Sequence, residues 1–150
     1  MSVDNVEDVV GRQFPGGEFT VERWMAYLWA DATRNDDDAF RHEEAAKEVG
    51  ADAQLVPPEF GMHIAMEGSG AGIEGALEGL DIDWESGVFH GEQSFTFHQP
   101  LVVGETYSVT GEVADVEQKE KFDILSLDYE ATDTQGNPAF RTQTRIIITH

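Results

Sequence analysis

The chain has 150 residues, 40% of them hydrophobic and 10% aromatic, which is enough to bury the core of one folded domain and excludes a disordered tail. Its formal charge is −21, from 30 acidic side chains against nine lysines and arginines, so we expect no nucleic-acid partner and no anionic membrane partner, because both are bound through clustered basic residues. The absence of cysteine excludes disulfides, thiolate metal ligands and a cysteine nucleophile, and the lack of a membrane-length apolar run or a basic leader predicts a cytoplasmic protein.

The first part of the chain is predicted to be helical. Residues 1–13 have the pattern of a loose entry segment, and Phe14–Gly17 that of a turn. Thr20 is a suitable N-cap for the helix that follows, which Asn35–Asp38 should end as a loop. The apolar side chains of this helix recur at helical spacing on one face: Val21, Trp24, Met25, Leu28, Trp29 and Ala32. We expect Trp24 and Trp29 to lie in the core.

Shorter helices are expected further along. Residues 42–49 could form a second helix, with Gly50 suited to its C-terminal stop. Pro57–Pro58 then sets a new helix start, because proline is tolerated in the first turn. Residues 59–80 predict two short helices separated by Gly68–Gly70.

The second half of the chain alternates apolar and polar side chains, which predicts strands. The alternating stretches are residues 92–98, 106–116, 122–132 and 140–149, with turn signals at 117–120 and 133–137. Consecutive strands with short turns predict an antiparallel meander. Helices followed by strands place the chain, as a single domain over residues 1–150, in the α+β class, with the helical segment covering the sheet.

Four segments resemble sequence blocks of MaoC-like dehydratases, and more narrowly of their fatty-acid-synthase-like branch. Val56–Phe60 resembles the family's PPTF entry to its central helix, and Val88–Leu101 resembles its LHGEQ…F.YH.PL block. Val103–Thr106 resembles its GDT turn, and Asp133–Pro138 its TDQDGEPV hairpin. The match runs in the family's order from about residue 11 to the end. It implies a hot-dog fold, an antiparallel sheet wrapped around a central helix, and the activity of enoyl-thioester hydratases.

Hydratases of this family use an Asp and a His within the motif G-D-x-N-P-[LIV]-H-x5-[AS]. One group activates water or takes a proton and the other positions it, on a substrate whose carbonyl is polarised by backbone N–H groups. If Ala32–Thr33 matches the residues before the motif, Asn35 takes the Asp place and Phe40 the His place. Ala46 then matches the small residue. Asn is a poor base and Phe does not titrate, so in this register the chain lacks the catalytic pair.

A second register remains open. Asp37 and His42 have the Asp-x4-His spacing, but this register puts Glu48 where Ala or Ser belongs and lacks the leading Gly and the Asn-Pro. In a stretch with three consecutive aspartates a chance match is easy, so we favour the first register.

Hot-dog chains without the pair resemble the substrate-binding subunits of heterodimeric dehydratases, each of which works with a catalytic chain. We therefore interpret the protein as the substrate-binding, non-catalytic subunit of a MaoC-type (R)-specific enoyl-CoA hydratase or 3-hydroxyacyl-thioester dehydratase. Its ligand would be an acyl-CoA or acyl-carrier thioester, and its partner a catalytic hot-dog chain or itself. The alternatives are an idle homodimer that binds an acyl thioester, and an active homodimer using Asp37 and His42. An exposed sheet edge predicts a dimer in each case.

The resemblance also implies which side chains lie near the substrate. His90 and Glu92 are two apart and would share one face of a strand, where they could act as an acid–base pair, although a structural corner tied to the central helix is the favoured role. No spacing of His, Asp and Glu matches a defined metal site, so we expect no metal and no cofactor. The substrate-binding candidates are Pro57, Pro58, Phe60, His90, Gly91, Glu92 and Gln93.

The acidic composition predicts adaptation to salt. Only three of the nine basic residues are lysines, while the apolar content is ordinary. This pattern is typical of cytoplasmic proteins of salt-loving archaea. At molar salt the Debye length falls to about 3 Å, which screens the repulsion between surface carboxylates.

Overall fold

The computed structural model describes residues 5–150, in which short helices precede most of a five-stranded sheet. The helices are α1 (Arg23–Ala32), α2 (Glu43–Glu48), α3 (Gly61–Gly68) and α4 (Gly72–Ala76). Single 3₁₀ turns lie at Val6–Val9, Asp38–Phe40 and Pro58–Phe60. The break between α3 and α4 at Gly68–Gly70 is confirmed. So is the stop after α2, where Gly50 adopts a φ of 92° that favours glycine.

The sheet is antiparallel throughout, with the strand order β1-β3-β4-β5-β2. Its strands are β1 (Gly17–Thr20), β2 (Val88–Phe97), β3 (Thr106–Gln118), β4 (Phe122–Thr132) and β5 (Pro138–Thr149). The predicted strands and the α+β class are confirmed, and β3-β4-β5 is the expected meander. β2 departs from it by pairing with β5, because residues 98–105 cross the end of the sheet instead of forming a tight hairpin turn.

One face of the sheet, the inner face, carries the core. Its side chains alternate with outward polar ones and are almost completely buried: Tyr107, Val109, Val113, Leu125, Leu127, Tyr129, Ala131, Phe140, Ile146 and Ile148. The central helix α3 crosses this face and buries Ile64 and Ala65 against it. Gly68 allows the close approach, since a Cβ there would lie 2.7 Å from Cγ2 of Val109. Each large apolar side chain buried here contributes about 1.5–3 kcal/mol of transfer free energy.

The orientation of α1 differs from the prediction. Its N-cap is Glu22 and not Thr20, because Thr20 is the last residue of β1, a strand the periodicity did not reveal. Ala26 and Ala30 are fully buried, whereas Trp24 and Leu28 are 48% and 50% exposed. Small alanines let the helix pack closely, so the buried stripe is rotated away from the face that side-chain size alone favoured. Placing Trp24 in the core was therefore wrong, and Trp29 is half-buried.

The entry segment is ordered against the sheet, contrary to the prediction for residues 5–13; residues 1–4 lie outside the described part of the chain. Val9 is 1% exposed, and Gly11 donates its backbone N–H to the carbonyl of Val113 at 2.8 Å. Phe14 belongs to the core, with its ring centroid 5.6 Å from that of Tyr129. The segment thus packs against β3 and contributes Val9 and Phe14 to the core.

Candidate functional site

The loop between α1 and α2 holds both candidate catalytic pairs. The backbone N–H of Asn35 bonds to the carbonyl of Ala30 at 2.7 Å, and its side-chain oxygen accepts the N–H of Asp37 at 3.1 Å. The carboxylate of Asp37 in turn accepts the N–H of Ala39 at 3.0 Å and caps the 3₁₀ turn that contains Phe40. Asn35 and Asp37 therefore serve as local backbone caps of this loop.

The backbone of the loop favours the first register of the hydratase motif. Arg34 has a φ of 57° and is the one non-glycine residue in the left-handed region among residues 5–150, a conformation that costs about 1–2 kcal/mol for such a residue. With Asn35 at the Asp place, Arg34 takes the place of the motif's glycine. A glycine adopts this left-handed backbone conformation without strain. The rival register puts Asp36 there, whose φ is not positive. Ala46 is fully buried at the small-residue place.

The structure does not join Asp37 and His42. Asp37 caps the 3₁₀ turn, whereas His42 is the exposed N-cap residue that precedes α2. His42 lines a separate polar cavity of about 500 Å³ together with Arg23 and Gln54. No hydrogen bond between Asp37 and His42 occurs in the described chain, so the geometry offers the rival pair no support.

Phe40 lines an apolar pocket of about 460 Å³. His98 and Gln99 add polar atoms to it. Its apolar walls come from the 3₁₀ turn after α1, the segment before α3 and the end of β2 with the residues that follow it: Phe40, Leu55, Val56, Pro58, Phe97, Pro100 and Leu101. Four of these seven side chains are rings, which have few rotamers to lose. A pocket of this volume and character suits the hydrocarbon part of a small ligand.

Backbone hydrogen bonds fix the position of Phe40. Gln54, only 4% exposed, donates its side-chain N–H to the carbonyl of Phe40 at 2.8 Å, and Leu55 donates its backbone N–H to Ala39 at 3.0 Å. These bonds use main-chain atoms of the turn, so they do not depend on which side chain stands at position 40. Sequence reasoning missed Gln54, whose only signal was a polar residue beside Pro57–Pro58.

The floor of the pocket is tied to the sheet. Val56 donates its backbone N–H to Leu101 at 2.9 Å, and the hydroxyl of Tyr107 accepts the N–H of Val102 at 3.1 Å. Tyr107 is fully buried, and this burial raises its pKa to about 12. The hydroxyl is therefore neutral at ordinary pH and acts as a structural hydrogen-bonding group.

The proline candidates divide between pocket and core. Pro58 lines the pocket and Pro57 is buried behind it. Phe60 points elsewhere, into an aromatic group with Trp29, whose ring centroid is 5.1 Å away, and His63, at 5.3 Å. Phe60 is a core residue and does not line this pocket.

A β-bulge separates the two halves of the HGEQ block. The pairing register shifts between His90 and Glu92, which leaves Gly91 as the extra residue and puts Glu92 on the outer face of the sheet, bonded to Arg145 at 3.0 Å. The predicted shared face of His90 and Glu92 was therefore wrong. His90 bonds to Gln93 at 2.9 Å, on the inner face.

Gln93 links the HGEQ block to β5. The predicted link to the central helix was therefore wrong. Its side chain bonds to the hydroxyls of Thr142 and Thr144, which are 4% and 1% exposed. From His90 to Phe97 the strand rises about 23 Å at 3.3 Å per residue. Within one chain, the candidates therefore form two groups, with Phe40 and Pro58 at one end of β2 and the HGEQ block at the other.

The described residues show neither a metal site nor a membrane span. No three histidine or carboxylate side chains among residues 5–150 are arranged to hold a metal ion. In the same range, no helix has the length and apolar character that crossing a bilayer requires.

A family model described as the FAS1-like dehydratase domain region matches residues 8–142. A UPF0336 protein of Saccharopolyspora erythraea is 28% identical over 142 residues, which are 94% of this chain and 89% of the relative. A UPF0336 protein of Parafrankia sp. is 33% identical over 131 residues, covering 87% and 85%. These relatives are actinobacterial, so they do not support the predicted archaeal source. A mesaconyl-CoA hydratase of Haloarcula hispanica is 28% identical over 110 residues, which are 71% of this chain but 28% of the hydratase.

Solved structures confirm the hot-dog fold. The C-terminally truncated HadBC (3R-hydroxyacyl-ACP dehydratase) complex of Mycobacterium tuberculosis superposes with a TM-score of 0.78 at 24% identity, covering 93% of this chain and 97% of that one. A MaoC-like dehydratase superposes with a TM-score of 0.82 at 16% identity, covering 97% of this chain and 43% of that one. The ChsH1-ChsH2 complex of M. tuberculosis gives 0.71 at 18% identity, covering 92% and 89%.

Proposed function

The chain belongs to the family of FAS1-like dehydratase domains, and from that premise we propose that it is the substrate-binding, non-catalytic subunit of an (R)-specific enoyl-thioester hydratase or 3-hydroxyacyl-thioester dehydratase. It binds the acyl part of a CoA or carrier-protein thioester and needs no metal or other cofactor. A second hot-dog chain supplies the catalytic Asp and His. We place this activity in the cytoplasm.

The observation that carries the proposal is the loop before α2. Its left-handed residue at Arg34 and buried small residue at Ala46 fit the backbone demands of the hydratase motif. Asn35 and Phe40 stand where the motif has its Asp and His. Neither side chain can take a proton from water. The loop therefore retains the backbone arrangement of the motif but lacks its acid–base groups.

The pocket beside this loop supports a binding role. Phe40 stands at the motif's place for the catalytic His. Together with Leu55 and Phe97 it forms part of the apolar wall of the pocket. An acyl chain gains about 0.8 kcal/mol for each methylene it buries there. The thioester carbonyl and its carrier arm are polar, so they would stay at the mouth, where His98 and Gln99 add polar atoms.

Two-chain neighbours support the need for a partner. HadBC is described as a 3R-hydroxyacyl-ACP dehydratase complex, and ChsH1-ChsH2 is likewise a complex of two components. The mesaconyl-CoA hydratase relative supports a thioester hydration reaction. An idle homodimer that binds an acyl thioester remains the second candidate function, supported by the same pocket.

An assay of crotonyl-CoA hydration tests the catalytic assignment. The reaction is monitored as the loss of the enoyl-thioester absorbance. We expect background rates from the isolated chain and hydration after co-purification with a hot-dog chain that carries Asp-x4-His. His42→Ala should leave the activity of that complex unchanged. Activity of the isolated chain that His42→Ala abolishes would contradict the proposal and make Asp37 and His42 the catalytic pair.

Titration calorimetry with butyryl-CoA, which cannot be hydrated, tests binding separately. We expect the isolated chain to bind it. Absence of binding by both the isolated chain and its complex would contradict the substrate-binding role, whatever the crotonyl-CoA assay gives.

A further inference from the structure

One aromatic ring of the apolar pocket is held in place by two others. The ring of Phe97 lies nearly parallel to that of Phe95, with 14° between the ring planes and 5.1 Å between the centroids. It also packs against Phe140, which is 1% exposed, at a centroid distance of 6.1 Å. Gly61, the first residue of α3, leaves room for this group, since a Cβ there would lie 3.2 Å from Cε1 of Phe95. Packing within the fold therefore fixes the position of the Phe97 ring.

The other side of the Phe97 ring is open. Phe97 is 39% exposed and lines the apolar pocket, although Phe95 covers one of its faces. Aromatic pairs prefer offset-stacked or edge-to-face arrangements with centroids about 4.5–7 Å apart, and Phe95 and Phe97 already form such a stacked pair. A third ring in the pocket would extend this stack and cover apolar surface that the fold leaves in water.

The remaining walls of the pocket include further rings. Phe40 stands in the wall that the 3₁₀ turn contributes, and Pro58 and Pro100 complete the set. A flexible acyl chain loses rotational freedom at every bond that binding fixes, whereas a phenyl group brings six carbons with one bond to fix. Benzene fits an apolar cavity of about 150 Å³, so a pocket of about 460 Å³ has room for a phenyl group and the carbons that link it to a thioester.

We propose that the acyl group taken by this pocket carries an aromatic ring, as in 3-arylacryloyl and 3-arylpropanoyl thioesters, and that this ring stacks on Phe97 opposite Phe95. Phe97 is then the specificity-determining residue that selects aromatic acyl groups over aliphatic ones. The identity of the ligand as an acyl thioester rests on the proposed function. The preference for an aromatic ring rests on the walls of the pocket alone.

Calorimetric titration in molar KCl with 3-phenylpropanoyl-CoA and 3-cyclohexylpropanoyl-CoA tests the preference. The two thioesters have the same carbon skeleton, and neither can be hydrated. The cyclohexyl group has the larger apolar surface, so burial alone favours it. An aromatic contact adds a factor of about 2–12 in affinity beyond burial, so we expect the phenyl compound to bind more tightly by about that factor. Equal affinities, or tighter binding of the cyclohexyl compound, would overturn the proposal.

Variants of Phe97 locate the effect. Phe97→Leu keeps an apolar side chain but removes the ring, so the preference for the phenyl compound should disappear, whereas Phe97→Tyr should retain it. Phe89→Leu is the matched control, because Phe89 is also an exposed Phe of β2 but does not line the pocket. Persistence of the preference in folded Phe97→Leu, or its loss in Phe89→Leu, would overturn the assignment to Phe97. The comparison of the two thioesters on the unchanged chain needs no variant.

Two neutral alcohols separate this proposal from the proposed function, because they contain the ring and no thioester. Proton NMR should show upfield shifts of the Phe97 ring signals with 3-phenylpropan-1-ol and not with 3-cyclohexylpropan-1-ol, the signals being assigned by their loss in Phe97→Leu. No difference between the alcohols would overturn the ring preference, even if butyryl-CoA binds and the proposed function stands. A clear difference without binding of any acyl-CoA would support ring recognition and contradict the proposed function.

Discussion

Replacement of Phe40 by Ala tests the assignment of the pocket to the acyl chain. The substitution should leave the loop in place, because Gln54 and Leu55 bond to the backbone carbonyls of Phe40 and Ala39 and not to the ring. Phe40 is half-buried, so we expect the free energy of unfolding to fall by about 1–2 kcal/mol, less than the 3–5 kcal/mol typical of a fully buried Phe. The variant therefore remains folded for binding measurements.

The binding effect follows from the area of the ring. A phenyl face that covers about 50 Å² of acyl surface contributes about 1.2 kcal/mol at 25 cal/mol per Å², which is about an eightfold change in affinity. Short saturated acyl-CoAs that end against Phe40 should bind about eightfold more weakly to Phe40→Ala. Longer acyl chains can occupy the vacated space and recover about 0.8 kcal/mol per added methylene. The optimum of acyl length should therefore move upward.

Calorimetric titration of a series of saturated acyl-CoAs in molar KCl measures this shift, since these thioesters cannot react. Phe122→Ala is a matched control, because Phe122 is also half-buried but begins β4, away from the pocket. Identical length profiles for the unchanged chain and Phe40→Ala would refute the assignment of the acyl group to this pocket. A shift caused by Phe122→Ala would show that the effect is not local.

Four other changes have definite expected outcomes. Asn35→Asp combined with Phe40→His should raise crotonyl-CoA hydration by about 10²-fold or more, because acid–base catalysis is worth about 10²–10⁴, and the enoyl absorbance measures it. Tyr129→Phe should raise the free energy of unfolding in urea by about 1 kcal/mol, since the buried hydroxyl has no hydrogen-bond partner in the described chain. Burial raises the pKa of Tyr107 to about 12 and that of Tyr129 also upward from 10, so the unfolded chain ionises first and stability should fall as pH rises from 10 to 12. Lowering KCl below about 0.5 M should lower the melting temperature or dissociate the dimer, as screening weakens; an unchanged scattering mass and melting temperature from 0.1 to 3 M KCl would contradict this.

Much of the sheet was predictable, because each strand buries one face and period-two alternation reports that directly. The predicted strand over residues 122–132 has the same bounds as β4, and its alternate side chains Leu125, Leu127, Tyr129 and Ala131 are buried. Strand order was not predictable, since nothing local to β2 specifies that it pairs with β5. The prediction from period-two alternation was also wrong across Gly91. This one extra residue reverses the face of the sheet on which the preceding side chains of β2 lie.

The helix α1 shows the limit of counting apolar side chains. Trp24 and Leu28 outweigh Ala26 and Ala30 in hydrophobicity, yet the alanines are buried. Close packing against the rest of the fold selects the small residues, and that partner surface is not encoded near α1 in the sequence. The loop after α1 offers one local check, because a glycine tolerates the left-handed backbone that Arg34 adopts at that place of the motif; the register itself stays a prediction.

The acidic surface and the open edge of β2 have linked consequences. The chain has 30 acidic and nine basic side chains, so copies of the chain repel each other over most of their surface. Between 1 M and 0.1 M salt the Debye length grows from about 3 Å to about 10 Å, which spreads this repulsion across the contact. In a dimer two whole chains of like charge would meet, whereas repulsion within one chain is opposed by a buried core. We therefore expect the dimer to dissociate at a higher KCl concentration than the one at which circular dichroism reports unfolding. If scattering mass and helical signal were lost at the same concentration, pairing would be part of the fold and not an association of folded chains.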